Sequence, residues 1–450
     1  MNSNFRVLRF VTGSISLYLL ISVAGTLMGF EWMPFRRVNL ISDIVFTDSA
    51  NRVIDITDKP DSNLVIIEDL PDKDFDLYKK GRIITGFKTD TTQSSLNHFL
   101  QKLYELKTGQ KQKVRIAYFG DSMIEGDLLT QTVRKLLQQA FGGSGVGFVP
   151  ITSQVSKFRQ TVSHNYSGGW QDENFKNAKT NKLYFSGHLF RSNGDWVQMT
   201  DQTITDSAAV VEKNLLCGNA PGSASITVNG RQQNINATRL LNRIPLVTDH
   251  NKNIRLTVSN SALPVYGISF ESPYGVFVDN FSFRGITGIE FARIDSLFME
   301  AIDSENPYDL IIFQYGVNLL FRPNDRNFNW YGKAMLPIVK KFRNCFDKTD
   351  FLVVSTADRA FRYGGEYKSA VGIDSLVKIQ AMVAYETGSA FYNQFASMGG
   401  TNSIVDWAKR NPSLANKDYV HPNHRGAEVL GTYLYEAIMH EYQKYIRTRK

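Results

Sequence analysis

Val114-Arg-Ile-Ala-Tyr-Phe-Gly-Asp-Ser-Met-Ile-Glu-Gly-Asp127 begins with an apolar run at residues 116–119, with charge on its left and Gly120 on its right. That is the pattern of a buried strand ending in a tight turn. After the turn Leu128, Leu129, Val133, Leu136 and Leu137 recur at helical spacing until Phe141-Gly142-Gly143 stops them. Ser122 is therefore expected where a core strand hands over to a helix. Gly120 would turn the backbone, and the helix start would aim free N–H groups at the serine. A hydroxyl held there is a candidate nucleophile, because charge developing beside it meets donors already in place. Gly-Asp-Ser alone is ordinary turn chemistry. The rest of the chain has to supply a base, a group to orient it and further donors.

Two other stretches do so. Asp418-Tyr-Val-His421-Pro-Asn precedes a helical pattern through Ala427, Leu430, Leu434 and Ile438. An Asp three residues before a His can fold back within one turn and accept the Nδ1 proton, leaving Nε2 to take a proton from a serine. Asp309-Leu-Ile-Ile-Phe-Gln-Tyr-Gly316-Val-Asn318 reads as a second buried strand ending in a loop, from which Asn318 can point an amide at an oxyanion.

Taken in order, Gly120-Asp121-Ser122, Gly316-x-Asn318 and Asp418-x-x-His421 resemble the SGNH (GDSL-like) hydrolase family. The resemblance implies Ser122 as nucleophile, His421 as general base, Asp418 as its orienter, and Asn318 with the Ser122 N–H as oxyanion donors. Gly120, Asp121 and Gly316 would support the turns. A further donor is expected from an Asp-x-x-Gly-x-x-Gly block; the run here is Asp279-Asn-Phe-Ser282-Phe-Arg-Gly285, with Ser282 in the first glycine's place. The longer pattern Gly-Asp-Ser-x-x-x-Gly-Asp, followed by Gly142-Gly-Ser-Gly-Val-Gly147-Phe-Val-Pro150 and Gly169-Trp170, is similar to the peptidoglycan O-acetylesterase branch. In that branch a carbohydrate-binding-like β-sandwich is inserted after the first block. No cofactor is implied.

The chain of 450 residues, 42% of them hydrophobic, can fill more than one core. Its net charge of +8 comes from Lys and Arg that are spread rather than clustered, which argues against nucleic acid as a partner. Cys217 and Cys345 stand far apart without a partner motif, which excludes zinc-finger, Fe–S and thioredoxin chemistry. Seven histidines without a His-x-x-x-His or paired-carboxylate cluster give no metal site.

Residues 10–30 carry no charge and follow Arg6 and Arg9, a length suited to a membrane-crossing helix with its positive flank in the cytoplasm. A cleaved signal peptide, cut near Val23-Ala-Gly25, is the competing reading. Residues 1–31 are thus an anchor or signal segment, and 32–91 a linker with strand-like runs at 38–46 and 63–67. Residues 92–150 and 276–450 form the two parts of a hydrolase domain. Residues 151–275 are rich in Ser, Thr, Asn and Gly, with short alternating runs and the hairpin signal Asn229-Gly230, and read as an antiparallel β-sandwich. After Phe277 helix and strand alternate, with helices at 291–302, 335–342 and 375–386 and strands at 310–313 and 351–355. The expected fold is α/β: a parallel sheet flanked by helices, with the sandwich inserted and Ser122, Asn318 and His421 at the sheet's C-terminal edge.

Other residues have plainer explanations beside the functional one. Trp170, Tyr184 and Trp196 can stack on sugars or fill the sandwich. His424 suits a helix start, Glu125 and Asp127 suit a helix dipole, and Arg284 and Arg322 can meet an anionic glycan or only water. Together these features point to a serine esterase of the cell envelope, on the periplasmic or extracytoplasmic side. It would act on O-acyl groups, O-acetyl above all, of a glycan such as peptidoglycan. An O-acetyltransferase with a membrane acyl-transfer partner, and a non-catalytic glycan-binding protein, stand as alternatives. If residues 10–30 anchor the protein, the full chain stays with membranes through carbonate washing, whereas a chain starting at Glu31 is soluble. A mature N-terminus near residue 26 in cell extracts would show cleavage instead.

Overall fold

The computed structural model of this chain describes residues 73–87 and 94–449. The anchor expected at residues 10–30 and the strand-like runs at 38–46 and 63–67 lie outside the described residues. Among the described residues no helix is long and apolar enough to cross a membrane.

In chain order, β1 (Ile84–Thr85) and α1 (Asn97–Lys107) lead to β2 (Lys113–Gly120) and α2 (Thr130–Phe141). A run of strands follows: β3 (Gly147–Pro150), β4 (Val162–Tyr166), β5 (Gln171–Asn174), β6 (His188–Arg191), β7 (Asp195–Asp201) and β8 (Val211–Gly218). It continues with β9 (Ser223–Val228), β10 (Arg231–Asn236), β11 (Leu241–Asp249), β12 (Asn253–Val258) and β13 (Val265–Glu271). Alternation resumes with β14 (Gly275–Ser282), α3 (Ser296–Glu305), β15 (Leu310–Gln314), α4 (Asn329–Cys345) and β16 (Asp350–Val354). The chain ends through β17 (Ala360–Tyr363), β18 (Glu366–Ser369), α5 (Ile373–Thr387), β19 (Ala390–Tyr392), α6 (Gln394–Met398), α7 (Ser403–Lys409) and α8 (His424–Thr448).

The central sheet has the order β1-β19-β16-β15-β2-β14, parallel throughout except for β1. Both faces of β2 are buried, as its nearly unbroken apolar run requires. Ala117 and Phe119 enter one core with Phe298, Met335 and Leu376 of α3, α4 and α5. Ile116 and Tyr118 enter the other with Leu100, Val133 and Leu434 of α1, α2 and α8. Each such aromatic or branched side chain taken out of water contributes about 1.5–3 kcal/mol before entropy is counted.

Strands β4 to β13 form two antiparallel sheets, β10-β9-β12-β7-β4 and β11-β8-β13-β6-β5, the second also pairing with β3. Val197, Ile226, Leu256, Leu215 and Phe270 close the core between them. The β9–β10 hairpin turns at Asn229 and Gly230, both with positive φ, the geometry that this dipeptide favours. Wholly buried Glu271 on β13 ties these sheets to the central one, taking Arg115 at 2.7 Å, Lys113 at 2.9 Å and Arg243 at 2.8 Å.

The structure alters two sequence expectations and decides between the two readings of Tyr184. The helix after Ser122 begins only at Thr130, so its N-terminus does not face the serine; a 3-10 turn at Glu125–Asp127 and positive φ at Gly126, Asp127 and Leu129 intervene. The helix expected at 291–302 is a 3-10 turn, Ile289–Arg293, followed by α3, whose start is fixed by Asp295 accepting the Phe298 N–H. Tyr184 is completely buried among Phe148, Phe185 and Tyr266 and cannot stack on a sugar. Cys217 and Cys345 are both buried and free.

Asp127 is wholly buried and takes Arg134 twice, at 2.7 and 2.9 Å. Burial alone would raise its carboxyl; the Arg134 and Arg159 guanidiniums outweigh that and hold it well below the usual carboxylate range. Arg134→Met should therefore destabilise the protein by about 3–5 kcal/mol, the cost of stranding a buried charge. Urea unfolding measures it, and a loss under about 1 kcal/mol would show that Arg159 suffices alone.

Candidate active site

The sheet register sets the site. Gly120 lies level with Ser282 on one side and Gln314 on the other, so the chain leaves β2, β14 and β15 at one edge. The continuation of β2 brings Ser122 there, that of β14 brings Gly285, and that of β15 brings Asn318. All three line one open cavity with His421. A Cβ at Gly316 would lie 2.3 Å from the Thr356 side chain, and its φ of 144° excludes other residues, so the route to Asn318 depends on glycine.

Ser122 Oγ lies 2.9 Å from His421 Nε2, and His421 Nδ1 lies 2.8 Å from Asp418 Oδ2. The other Asp418 oxygen accepts the Val420 and His421 N–H groups, which closes the one-turn loop expected from Asp-x-x-His. Partial burial would raise the Asp418 carboxyl, but the bonds from His421 and Val420 bring it down to about 2. Asp418 is thus an anion near neutral pH, and it assigns the Nδ1 proton to its own side. Nε2 is then the acceptor facing the serine hydroxyl. The loop is buttressed by the β17–β18 hairpin, absent from the sequence reading. Tyr367 stacks on Tyr419 at 4.1 Å, and the Ala360 N–H bonds the Tyr419 carbonyl.

The donors differ from expectation. Ser282 does not line the cavity, and its N–H is given to Asn280 Oδ1 at 3.1 Å. Three residues on, Gly285 does line it, and its N–H, like that of Ser122, meets no acceptor among the described residues. Asn318 Nδ2 donates to Asp121 Oδ2 at 3.1 Å and to the Ile286 carbonyl at 2.9 Å, so its amide holds the turns together as the structure stands. Asp121 also accepts the Met123 N–H, a turn-holding contact in keeping with the supporting part given to it.

Residues that sequence reasoning missed complete the walls. Val155 and Phe158 come from the connection between β3 and β4, and Asn416 from the loop before Asp418. Phe158 is 49% exposed and lies against the His424 ring at 5.0 Å. The only sequence signal was a lone aromatic in the polar run Ser156-Lys-Phe-Arg. His424, at the start of α8, is a wall of the cavity with its Nδ1 unpartnered. Arg284 and Glu125 pair at 2.7 Å on the rim, whereas Arg322 lies over Phe321 and does not line the cavity. Among the described residues no group of side chains could hold a metal ion.

The arrangement is one in which a hydroxyl can lose its proton to an oriented imidazole beside two unpaired backbone N–H groups. Among solved structures, a peptidoglycan O-acetylesterase superposes with a TM-score of 0.67 at 22% identity, over 80% of this chain and 99% of its own. The chain has the fold of that esterase. Family two carbohydrate esterases from Clostridium thermocellum (an active-site mutant) and Cellvibrio japonicus align at TM-scores of 0.27 and 0.26, with 10% and 9% identity. They cover 61% and 67% of this chain, and 98% and 99% of their own, and at those scores carry no weight here. No family model and no curated protein sequence matches the chain.

Within this esterase fold Asp121 carries a pH signature. Its complete burial lifts the carboxyl to about 7, against the Met123 N–H and the nearby His421, which favour the ionised form. Unfolded, the group ionises near 3.8. Between those values the folded state holds a proton that the unfolded state has lost, so this group's contribution makes stability fall as pH rises from about 4 to about 7. Asp121→Asn should flatten the dependence of the urea midpoint on pH across that window. An unchanged slope would show that Asp121 does not titrate there.

Proposed function

We propose that the protein is a serine esterase that removes O-acyl groups, O-acetyl in the simplest case, from a cell-envelope glycan such as peptidoglycan. The observation that carries this is the unbroken relay from Asp418 through His421 to Ser122, closed by hydrogen bonds of 2.8 and 2.9 Å beside unpaired N–H groups. The glycan class is supported by the fold shared with a peptidoglycan O-acetylesterase. We read residues 92–150 and 276–450 as the hydrolase and 151–275 as its inserted sandwich. The uncharged run at residues 10–30 supports an extracytoplasmic, membrane-anchored location.

In this mechanism Ser122 Oγ attacks the ester carbonyl while His421 Nε2 takes its proton, and Asp418 stabilises the imidazolium. The tetrahedral oxyanion lies against the N–H groups of Ser122 and Gly285, the latter taking the place first given to Ser282. Asn318 Nδ2 joins by sharing the hydrogen it gives to Asp121. Collapse breaks the bond to the sugar oxygen, which His421 protonates as it leaves. Water, deprotonated by the same imidazole, then attacks the acyl-enzyme and releases the carboxylic acid with Ser122 restored. Hydrolysis is favoured over transfer to a second alcohol because the relay is open to water: the His421 and Asp418 side chains are 34% and 46% exposed.

Ser122→Ala should lower kcat for an aryl acetate by about 10³-fold or more with the fold intact, and Asn318→Ala should lower it by about 10²–10³-fold. Full activity in purified Ser122→Ala would rule the mechanism out. A purely KM effect at Asn318 would make it a substrate contact. Supplied with an acyl donor, the wild type should release acetate steadily without added glycan. Slow release, with acetyl appearing on added oligomers, would make it a transferase.

A further inference from the structure

A second open cavity, of about 120 Å³, lies beside the first. Its walls include Thr152 and Gln154 of the β3–β4 connection, Asp172 of β5, Ser186 and His188 at the start of β6, and Phe283 after β14. Glu125, Val155 and Arg284 line both cavities, and the Glu125–Arg284 ion pair spans the boundary between them. A linear molecule reacting at Ser122 can therefore continue into the second cavity without leaving the surface.

Two polar groups in this cavity have no use within the protein. Ser186 is 3% exposed, yet its hydroxyl has no hydrogen-bond partner. Buried hydroxyls are nearly always satisfied, because leaving one unpaired forfeits its hydration for nothing. His188 gives Nδ1 to Asp172 Oδ1 at 2.8 Å, which fixes that proton and leaves its other ring nitrogen as an acceptor without a partner among the described residues. The ring stacks on Phe190 at 5.4 Å and packs at a tilt against Phe283 at 5.0 Å, so its orientation is set before anything binds. The Ser186 hydroxyl does not hydrogen-bond His188, so this is not a second catalytic relay. A donor and an acceptor, both fixed and both unpaired, fit a ligand whose groups donate and accept at once. Sugar hydroxyls do so.

We propose that this cavity is a glycan subsite, taking the sugar next to the one that carries the ester, with Ser186 and His188 bonding its hydroxyl or amide groups. The proposal rests on the glycan-esterase reading above. It makes the enzyme one that favours an ester carried on a glycan over an isolated acetate.

The test compares 4-nitrophenyl acetate with O-acetylated disaccharides and tetrasaccharides released from O-acetylated peptidoglycan by a muramidase. The proteins are the wild type, Ser186→Ala and His188→Gln. Neither residue lines the Ser122 cavity, so kcat/KM for the aryl acetate should change by less than about twofold, while KM for the oligosaccharides rises about tenfold, the loss of one good hydrogen bond. If the wild type cleaves the oligosaccharides and both variants match it, the subsite is overturned and the glycan reading stands. Equal losses on the aryl acetate and the oligosaccharides would also overturn it, making the two residues structural. If the wild type cleaves only the aryl acetate, the glycan reading falls and the subsite with it.

Discussion

The carboxylate of Asp127 is the point on which the turn carrying Ser122 depends. It lies five residues after Ser122 and takes Arg134 of α2, Thr130 at that helix's start, and Thr161 and Arg159 from the connection toward β4. Arg134 in turn reaches the Val278 carbonyl on β14. One buried anion thus joins the turn after Ser122, the helix behind it, the neighbouring strand and the segment that carries Phe158. The residues between β2 and α2 adopt several positive φ angles that are costly without such a frame. In water an ion pair of this kind would be worth little. Here, fully enclosed, it fixes the relative placement of parts that are far apart in sequence.

That frame explains how a short motif becomes a site. The strands end level with one another, and each loop needs only a few residues to reach the cavity. Asp418 to His421 is a self-contained unit, since the aspartate bonds both the imidazole and the backbone that carries it. Its orientation relative to Ser122 is imposed from outside, by the hairpin whose Tyr367 covers Tyr419.

The sequence revealed what depends on local pattern. The apolar run of β2, the run of β15 before Gly316 and the Asp-x-x-His spacing each define an element and its end, and the sheet they build is the one expected. Alternation in β9 and β12, with the Asn229-Gly230 turn, announced antiparallel sheets in the same way. What it hid depends on distant packing. Phe158 lines the cavity because the β3–β4 connection folds back over Gly126, which no local period records. Ser282 was misplaced because the strand runs right up to it and its N–H is taken by Asn280, so the free donor comes one turn later at Gly285. Asp127 looked like a helix-start acid because nothing near it in sequence says that Arg159 and Thr161 will meet it.

The two antiparallel sheets lie between β2 and β14, which are neighbours in the central sheet and pair over their whole lengths. Between them runs more chain than the central sheet itself contains. Closing so long a flexible loop costs entropy that a parallel pair cannot recover until its partner arrives. Once the intervening strands collapse on their own core, the ends at β3 and β13 are brought side by side, Gly147 paired with Phe270 and Pro150 with Gly267. The remaining search is then short. The inserted unit thus acts as an internal clamp: packed on its own core, it holds the ends of the long connection at the short separation that the pairing of β2 with β14 needs.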